Sequence, residues 1–330
     1  MTSNLEIALS KLFAAEGRKL LFHHIDSDGI CSAALILKFF HSFTFRGREG
    51  PVLDKKTMKY IESKKPNVVA WIDIPIDQEW KKLLALKEKL PETKFVIIDH
   101  HIITANMNYY GMIHINPRLR KRDAYIPTSY VVYKILEKMK CDVKPYKWIA
   151  CAGIIGDYGK CMMEREIMKH GKRVSDLITS AIVLKSVKGS EKALKLLLRS
   201  ETPYDFSTSE LEKWHKIFVK EKNRIIADFE TKKEIYGDFI FYEIKSRMNL
   251  TSTISSVISE RYPRNVIIIR KKSGDFWKIS LRCQSGKLNV GEIARKASEG
   301  IGSGGGHEKS SGAVVNDWET FKKRVLLFGS

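Results

Sequence analysis

Phe95-Val96-Ile97-Ile98 passes without a break into Asp99-His100-His101. A short apolar run rich in β-branched residues forms a buried strand, and its polar end marks where the chain leaves the core for a polar site. Three more core segments end in acids. They are Phe22-His23-His24-Ile25-Asp26-Ser27-Asp28-Gly29, Ala70-Trp71-Ile72-Asp73 and Gly153-Ile154-Ile155-Gly156-Asp157. Carboxylates and imidazoles at the ends of several core elements are what a two-cation site needs.

A chain of 330 residues can bury a large core and is long enough for two domains. Its 58 Lys and Arg against 38 Asp and Glu leave a formal charge of +20. That excess favours a polyanionic partner, nucleic acid before an anionic membrane surface. A lysine-rich bias of the proteome is the plainer account of the same number. No apolar run approaches the roughly 20 residues of a membrane span. The N-terminal residues read as a first helix, without the basic-then-apolar layout of a signal peptide. Cys31, Cys141, Cys151, Cys161 and Cys283 are odd in number and show no C-x-x-C spacing. They read as reduced, mostly buried thiols of a cytoplasmic protein.

The first half alternates short apolar runs with helical patterns. Lys19 to Ile25, Asn67 to Ile74 and Lys94 to Asp99 read as strands, with Gly111 to Ile115 a fourth. Cys31 to Phe40 and Gln78 to Leu90 carry helical spacing. This is the rhythm of a mostly parallel α/β sheet with helices on both faces, whose ligands sit beyond the C-terminal strand ends. The pattern turns helical from Pro127, where Thr128 or Ser129 is the expected N-cap. Pro145 to Asp157 reads as a further helix, closed by Gly159. A charged helix from Ser209 to about Ile235 follows, and a smaller α+β region closes the chain. The expected organisation is residues 1–200, a linking helix at 201–235, and residues 236–330.

Hard divalent cations take oxygen ligands, and manganese also accepts imidazole. Asp26, Asp28, Asp73, His100 and Asp157 are the candidate ligands, with His24 beside them. On a continuing strand Asp26 and Asp28 would share one face. Gly29 would then permit a sharp turn, and a helix from Ile30 would offer its N-terminus to an anion. His101 is a candidate to touch a substrate phosphate, and His23 a supporting or packed residue. In the tail, Gly302-Ser303-Gly304-Gly305-Gly306-His307 lets backbone approach a ligand closely, and Arg282 can grip a phosphate bidentately. Arg118, Arg120, Lys121 and Arg122 could track a nucleic-acid backbone, with Tyr109, Tyr110 and Tyr125 stacking on bases.

Asp99-His100-His101 resembles the signature of the DHH phosphoesterase superfamily. His24-Ile25-Asp26-Ser27-Asp28-Gly29 looks like its first motif, Asp73 its second and Asp157 its fourth. The tail run ending Gly304-Gly305-Gly306-His307 resembles the glycine loop of the DHHA1 domain, and Ser280-Leu281-Arg282 the strand before it. The resemblance implies a DHH domain that carries the metal site and a DHHA1 domain, at 236–330, that binds substrate through Arg282, Gly304, Gly305, Gly306 and His307. It implies two divalent cations, manganese first and magnesium or cobalt as substitutes.

The leading expectation is a RecJ-like, single-strand-specific exonuclease on DNA or RNA, archaeal in its compact layout. The alternative is an NrnA-like phosphodiesterase acting on short oligonucleotides, cyclic dinucleotides or 3′-phosphoadenosine phosphate. A third is a nuclease-type subunit recruited to a helicase or replisome during replication or repair. A homodimer stays open, and no membrane association is expected.

Overall fold

The computed structural model describes residues 4–157, 159 and 164–329. Cys161 lies outside the described residues. The chain divides into two compact units, Met1–His215 and Lys216–Ser330.

The first unit runs α1 (Asn4–Ala14), β1 (Lys19–His24), α2 (Ser27–Phe39), β2 (Phe43–Arg48), α3 (Lys55–Lys64) and β3 (Val68–Ile72). It continues through α4 (Trp80–Lys89), β4 (Lys94–Ile98), β5 (Ile113–Ile115), α5 (Thr128–Lys138), α6 (Lys147–Gly156), α7 (Arg165–Arg199) and α8 (Pro203–Ser207). Helix α9 (Leu211–Lys232) spans the boundary between the units.

The five strands form an all-parallel sheet in the order β2-β1-β3-β4-β5. Alternate residues feed two cores. Leu21, Ala70, Ile72, Val96 and Ile98 pack on one face with α2, α5 and α6. Leu20, Phe22, Val69, Trp71, Phe95 and Ile97 pack on the other. Because both faces are covered, β1, β3 and β4 read as continuous apolar runs. Trp71 stacks between Phe22 and Phe95, with centroids 6.0 and 5.8 Å away, and so ties the three strands whose ends matter for the site. The sheet edge at β5 is closed by Asn108, whose side chain accepts the His114 N–H at 3.0 Å and donates to its carbonyl at 2.8 Å.

The second unit runs from the end of α9 through β6 (Glu234–Tyr236), β7 (Phe239–Glu243), α10 (Thr251–Arg261), β8 (Val266–Ser273) and β9 (Phe276–Cys283). It ends with α11 (Val290–Ala297), β10 (Gly302–His307), β11 (Ser310–Val315) and α12 (Trp318–Leu326). The six strands form a mixed sheet, β10-β11-β9-β8-β7-β6, in which only the β7–β8 pairing is parallel. Phe239, Ile268, Leu281, Ile293 and Phe321 lie in its core.

The glycine run is not a loop. It is the edge strand β10, paired antiparallel with β11 along its length. A Cβ at Gly304 would lie 2.4 Å from the Ala294 carbonyl oxygen, so glycine lets the strand lie against α11. No described helix is long and apolar enough to cross a membrane.

Candidate metal centre

Strands β1, β3 and β4 lie side by side in register, so the residues just past their C-terminal ends converge. Asp73 leaves β3 with φ of 60°, in the left-handed region that Asp tolerates better than most side chains. Its N–H remains tied to the Ile98 carbonyl at 2.9 Å. The turn is strained but anchored, and strain of this kind concentrates at functional positions.

Asp26 and Asp28 do not share a strand face, because β1 ends at His24 and α2 begins at Ser27. Asp26 is the N-cap and accepts the Gly29 N–H at 2.9 Å. The helix N-terminus is thus already capped by a carboxylate rather than held open for an anion. Gly29 makes no left-handed turn. A Cβ there would fall 2.4 Å from the His24 carbonyl oxygen, so its role is close approach.

Asp28 lies in the first turn of α2 and reaches across to α5. Its two oxygens accept the N–H groups of Thr128 at 2.6 Å and Ser129 at 2.9 Å. Neither Thr128 nor Ser129 is the N-cap of α5. Pro127 holds that position without a side-chain bond, and Asp28 supplies the missing acceptors from a distant element. This frees Thr128 Oγ1 to donate to Asp73 Oδ1 at 2.8 Å.

Asp157 is the C-cap of α6. Two glycines bring it inward. A Cβ on Gly153 would lie 2.6 Å from Ser129 Cβ and 3.0 Å from Asp28 Oδ1, and one on Gly156 would lie 2.3 Å from Ser27 Cβ. The end of α6 therefore seats directly on the starts of α2 and α5.

The result is a set of overlapping groups that could hold a metal ion: His24, Asp26 and Asp73; Asp28, His100 and Asp157; and Asp73, His100 and His101. His24 Nδ1 is 2.7 Å from Asp26 Oδ2 and 3.9 Å from Asp73 Oδ2. His100 Nε2 is 3.4 Å from Asp73 Oδ1 and 3.5 Å from Asp157 Oδ2. Asp73 thus presents one oxygen to each side. Its Oδ2 is buried and has no hydrogen-bond donor among the described residues, a condition that a cation relieves.

Burial pushes the Asp73 carboxyl well above its ordinary value, with the charges of Asp28 and Asp26 adding to the effect. Burial, then Asp157 and Asp26, pushes Asp28 up to about 7. Burial takes Asp157 to about 6 despite the Tyr125 hydroxyl. Burial also lowers His100 to about 4, a neutral imidazole fit to be a ligand. The His24–Asp26 pair runs the other way. Burial opposes both charges, but their mutual attraction prevails, raising His24 to about 9 and holding Asp26 below the usual carboxylate range.

Asp99 is in none of these groups but pairs with His101, which is in one. It accepts from His101 Nδ1 at 2.7 Å and from the His101 N–H at 3.1 Å. Burial would lower the His101 imidazole, but this bond to Asp99 raises it. His101 stays partly exposed and packs edge-on against His100, centroids 4.6 Å apart. His23 is fully buried, with Nδ1 bound to the His24 carbonyl.

Sequence reasoning missed two supporting residues. Thr128 holds Asp73, and Tyr125 donates to Asp157 at 2.8 Å through Oδ2 and at 2.5 Å through the backbone carbonyl. No local spacing points to either, because their partners are distant in the chain. Arg118, read as a backbone-tracking residue, is oriented by donating through Nε to the His100 carbonyl and through Nη1 to the Arg122 carbonyl.

In the second unit, Arg282, Gly305 and Gly306 line one cavity of about 390 Å³. The Arg282 guanidinium is held there by Ser252 Oγ at 2.9 Å and Ser280 Oγ at 3.0 Å. Gly304 and His307 do not line it. Gly304 backs onto α11, and His307 is exposed at the end of β10.

Residues 19–156 match the DHH family, N-terminal domain, and residues 238–326 match the DHHA1 domain. No curated protein matches the chain. Among solved structures, RecJ from Thermus thermophilus in complex with Mn2+ superposes with a TM-score of 0.73 at 14% identity. That match covers 98% of this chain and 53% of RecJ, so the chain spans about half of that relative. An exonuclease RecJ bound to manganese gives 0.69 at 15% identity, over 99% of this chain and 94% of the other. The pGpG-specific phosphodiesterase PggH from Vibrio cholerae gives 0.58 at 13%, over 94% and 98%. Identities this low make the likeness one of fold.

Proposed function

From the premise that this chain belongs to the DHH/DHHA1 phosphoesterase superfamily, we propose that it is a manganese-dependent nuclease that hydrolyses single-stranded DNA or RNA from an end. The observation that carries the metal part is Asp73, which faces His24 and Asp26 with one oxygen and His100 with the other. His24, Asp26 and Asp73 would hold one cation, and Asp28, Asp73, His100 and Asp157 the second. Bound there, divalent cations lower the pKa of water and offset charge on the phosphoryl oxygens.

The chain's own residues supply the rest. Thr128 and Tyr125 fix the directions of Asp73 and Asp157. Asp99 accepts the Nδ1–H of His101 and favours its imidazolium form, which leaves the Nε2–H to donate to the substrate phosphate. In the second unit, Arg282 is oriented by serines for an anion, beside the bare backbone of Gly305 and Gly306. The charge of +20 supports a polyanionic substrate. We assign the protein to the cytoplasm because Cys31 and Cys283 are buried free thiols.

The second reading is a phosphodiesterase of short oligonucleotides or dinucleotides, supported by the fold shared with PggH. Digestion of 5′- and 3′-labelled strands, from about 2 to 40 nucleotides, with manganese separates the two. A steady rise of rate with length supports the exonuclease. Activity confined to the shortest strands supports the second reading.

A further inference from the structure

A groove of about 610 Å³ opens between α1, the end of β5, the loop after it and α5. Its apolar surface comes from Leu5, Leu9, Ile115, Ile126 and Tyr130, of which Leu5, Ile126 and Tyr130 are exposed. Its basic side chains are Arg120, Lys121, Lys134 and Lys138, and its one acid, Glu6, is paired with Lys138. The α1 wall is fixed. Buried Lys19 donates to the carbonyls of Phe13 and Ala15 at the end of that helix, and Glu6 ties it to α5.

His114 lies at the sheet edge beside the groove, but its imidazole points to the opposite face, where Nδ1 accepts the Met107 N–H at 3.4 Å. An apolar trough rimmed by cations calls for a ligand that is apolar on one side and anionic at its flanks.

We propose that this groove docks an acidic, amphipathic helix of a partner protein. Charge complementarity selects the sign, and it disfavours a second copy of a chain that itself carries +20. The sheet edge selects the conformation. Asn108 already occupies the N–H and carbonyl of His114, so an added strand finds no ladder there, whereas a helix brings its own backbone bonds. The aliphatic floor, with Tyr130 its one aromatic ring, suits leucine-like side chains better than stacked bases. The occupant would touch the loop that holds the metal centre, since Ala124 and Ile126 face the groove while Tyr125 between them binds Asp157.

The probe is a fluorescein-labelled helical peptide of roughly 14 residues with Leu at i, i+3, i+4 and i+7 and Glu on the flanks, pre-organised by a side-chain staple. Binding is read by anisotropy without added divalent cation, so the outcome does not depend on the metal assignment. Saturable binding should weaken about tenfold or more in Arg120→Glu/Lys134→Glu, and about tenfold when Lys replaces Glu in the peptide. The variant's melting temperature shows that it folds. No saturable binding, equal binding of the basic peptide, or no effect of the variant overturns the proposal. Displacement of the peptide by a single strand of about 20 nucleotides reassigns the groove to nucleic acid. Self-association of the wild type that the variant abolishes reassigns it to a second copy.

Discussion

Asp73 Oδ1 lies 3.4 Å from His100 Nε2, joining the ends of β3 and β4. The contact depends on the left-handed turn at Asp73, which swings the carboxylate over the neighbouring strand. Asn has the same shape and tolerates the same φ. Asp73→Asn should therefore fold normally and lose bound metal, with activity reduced by more than the roughly 10–100-fold typical of supporting residues. Metal content by mass spectrometry and turnover with manganese test this together. Near-normal turnover in a folded variant refutes the assignment of Asp73 to both cations.

Tyr125 supports rather than binds. Its hydroxyl orients Asp157, so Tyr125→Phe should cost about 10–100-fold in activity or metal affinity. Raising the manganese concentration should recover part of that loss. If substrate affinity fell and metal affinity stayed unchanged, Tyr125 would belong to the substrate surface instead.

Gly153 is a packing requirement of the site. A methyl group there meets Ser129 and Asp28 together. Gly153→Ala should destabilise the fold by about 1–3 kcal/mol and disturb the seat of Asp28 on α5. Chemical denaturation and metal titration of this variant should both change. An unaltered denaturation midpoint would show that α6 shifts freely, contrary to the packing described.

The buried acids predict how metal and pH combine. Unfolded carboxyls titrate near 4, whereas Asp157 and Asp28 are pushed up to about 6 and about 7 in the folded protein. A group raised on folding stabilises fully below its unfolded pKa, and that contribution is lost as pH climbs through the folded value. For these acids the loss falls between about pH 4 and 7. His24, raised to about 9, adds a loss in the same direction from about 6.5 upward. Asp26 is lowered, so its contribution is present above about 4 and disappears only in stronger acid. Metal-free protein should thus gain more in melting temperature from manganese at about pH 8 than at about pH 5, since protons and cation compete for the same oxygens. An equal gain at both values would place the ion away from these acids.

The sheet and the strand ends that carry the acids were legible where both faces of a strand are buried. Trp71 and Ile72 lead to Asp73, and Ile97 and Ile98 lead to Asp99, with no polar break. Strand β2 was not legible. As an edge strand reading Phe43-Thr44-Phe45-Arg46-Gly47-Arg48, it has only one side to bury. The supports of the site were hidden for another reason. The Thr128–Asp73 and Asp28–Ser129 bonds join residues far apart in sequence, and no periodicity records such pairs. The run at Gly302 read as a glycine loop, yet it is a strand paired along its length with β11, and the glycine at 304 lets it lie against α11. The two bonds that orient Arg118 were not legible, because carbonyl partners carry no side-chain signature.

Salt dependence distinguishes long substrates from short ones. Each phosphate neutralised by Lys or Arg on a single strand contributes about −0.7 to the slope of log affinity against log salt. A dinucleotide offers few phosphates, whereas a strand of about 20 nucleotides can engage several cations at once. With Asp73→Asn to prevent cleavage, binding of the long strand should fall much more steeply with salt than binding of the dinucleotide. Arg282→Ala should flatten both slopes, because Arg282 lines the cavity that either substrate would enter. Lys213→Ala/Lys220→Ala, on α9, should leave the dinucleotide slope unchanged and reports whether that helix meets the longer strand. Equal slopes for both ligands would mean that the charge of +20 does not serve a long polyanion, and the phosphodiesterase of short oligonucleotides would become the better reading.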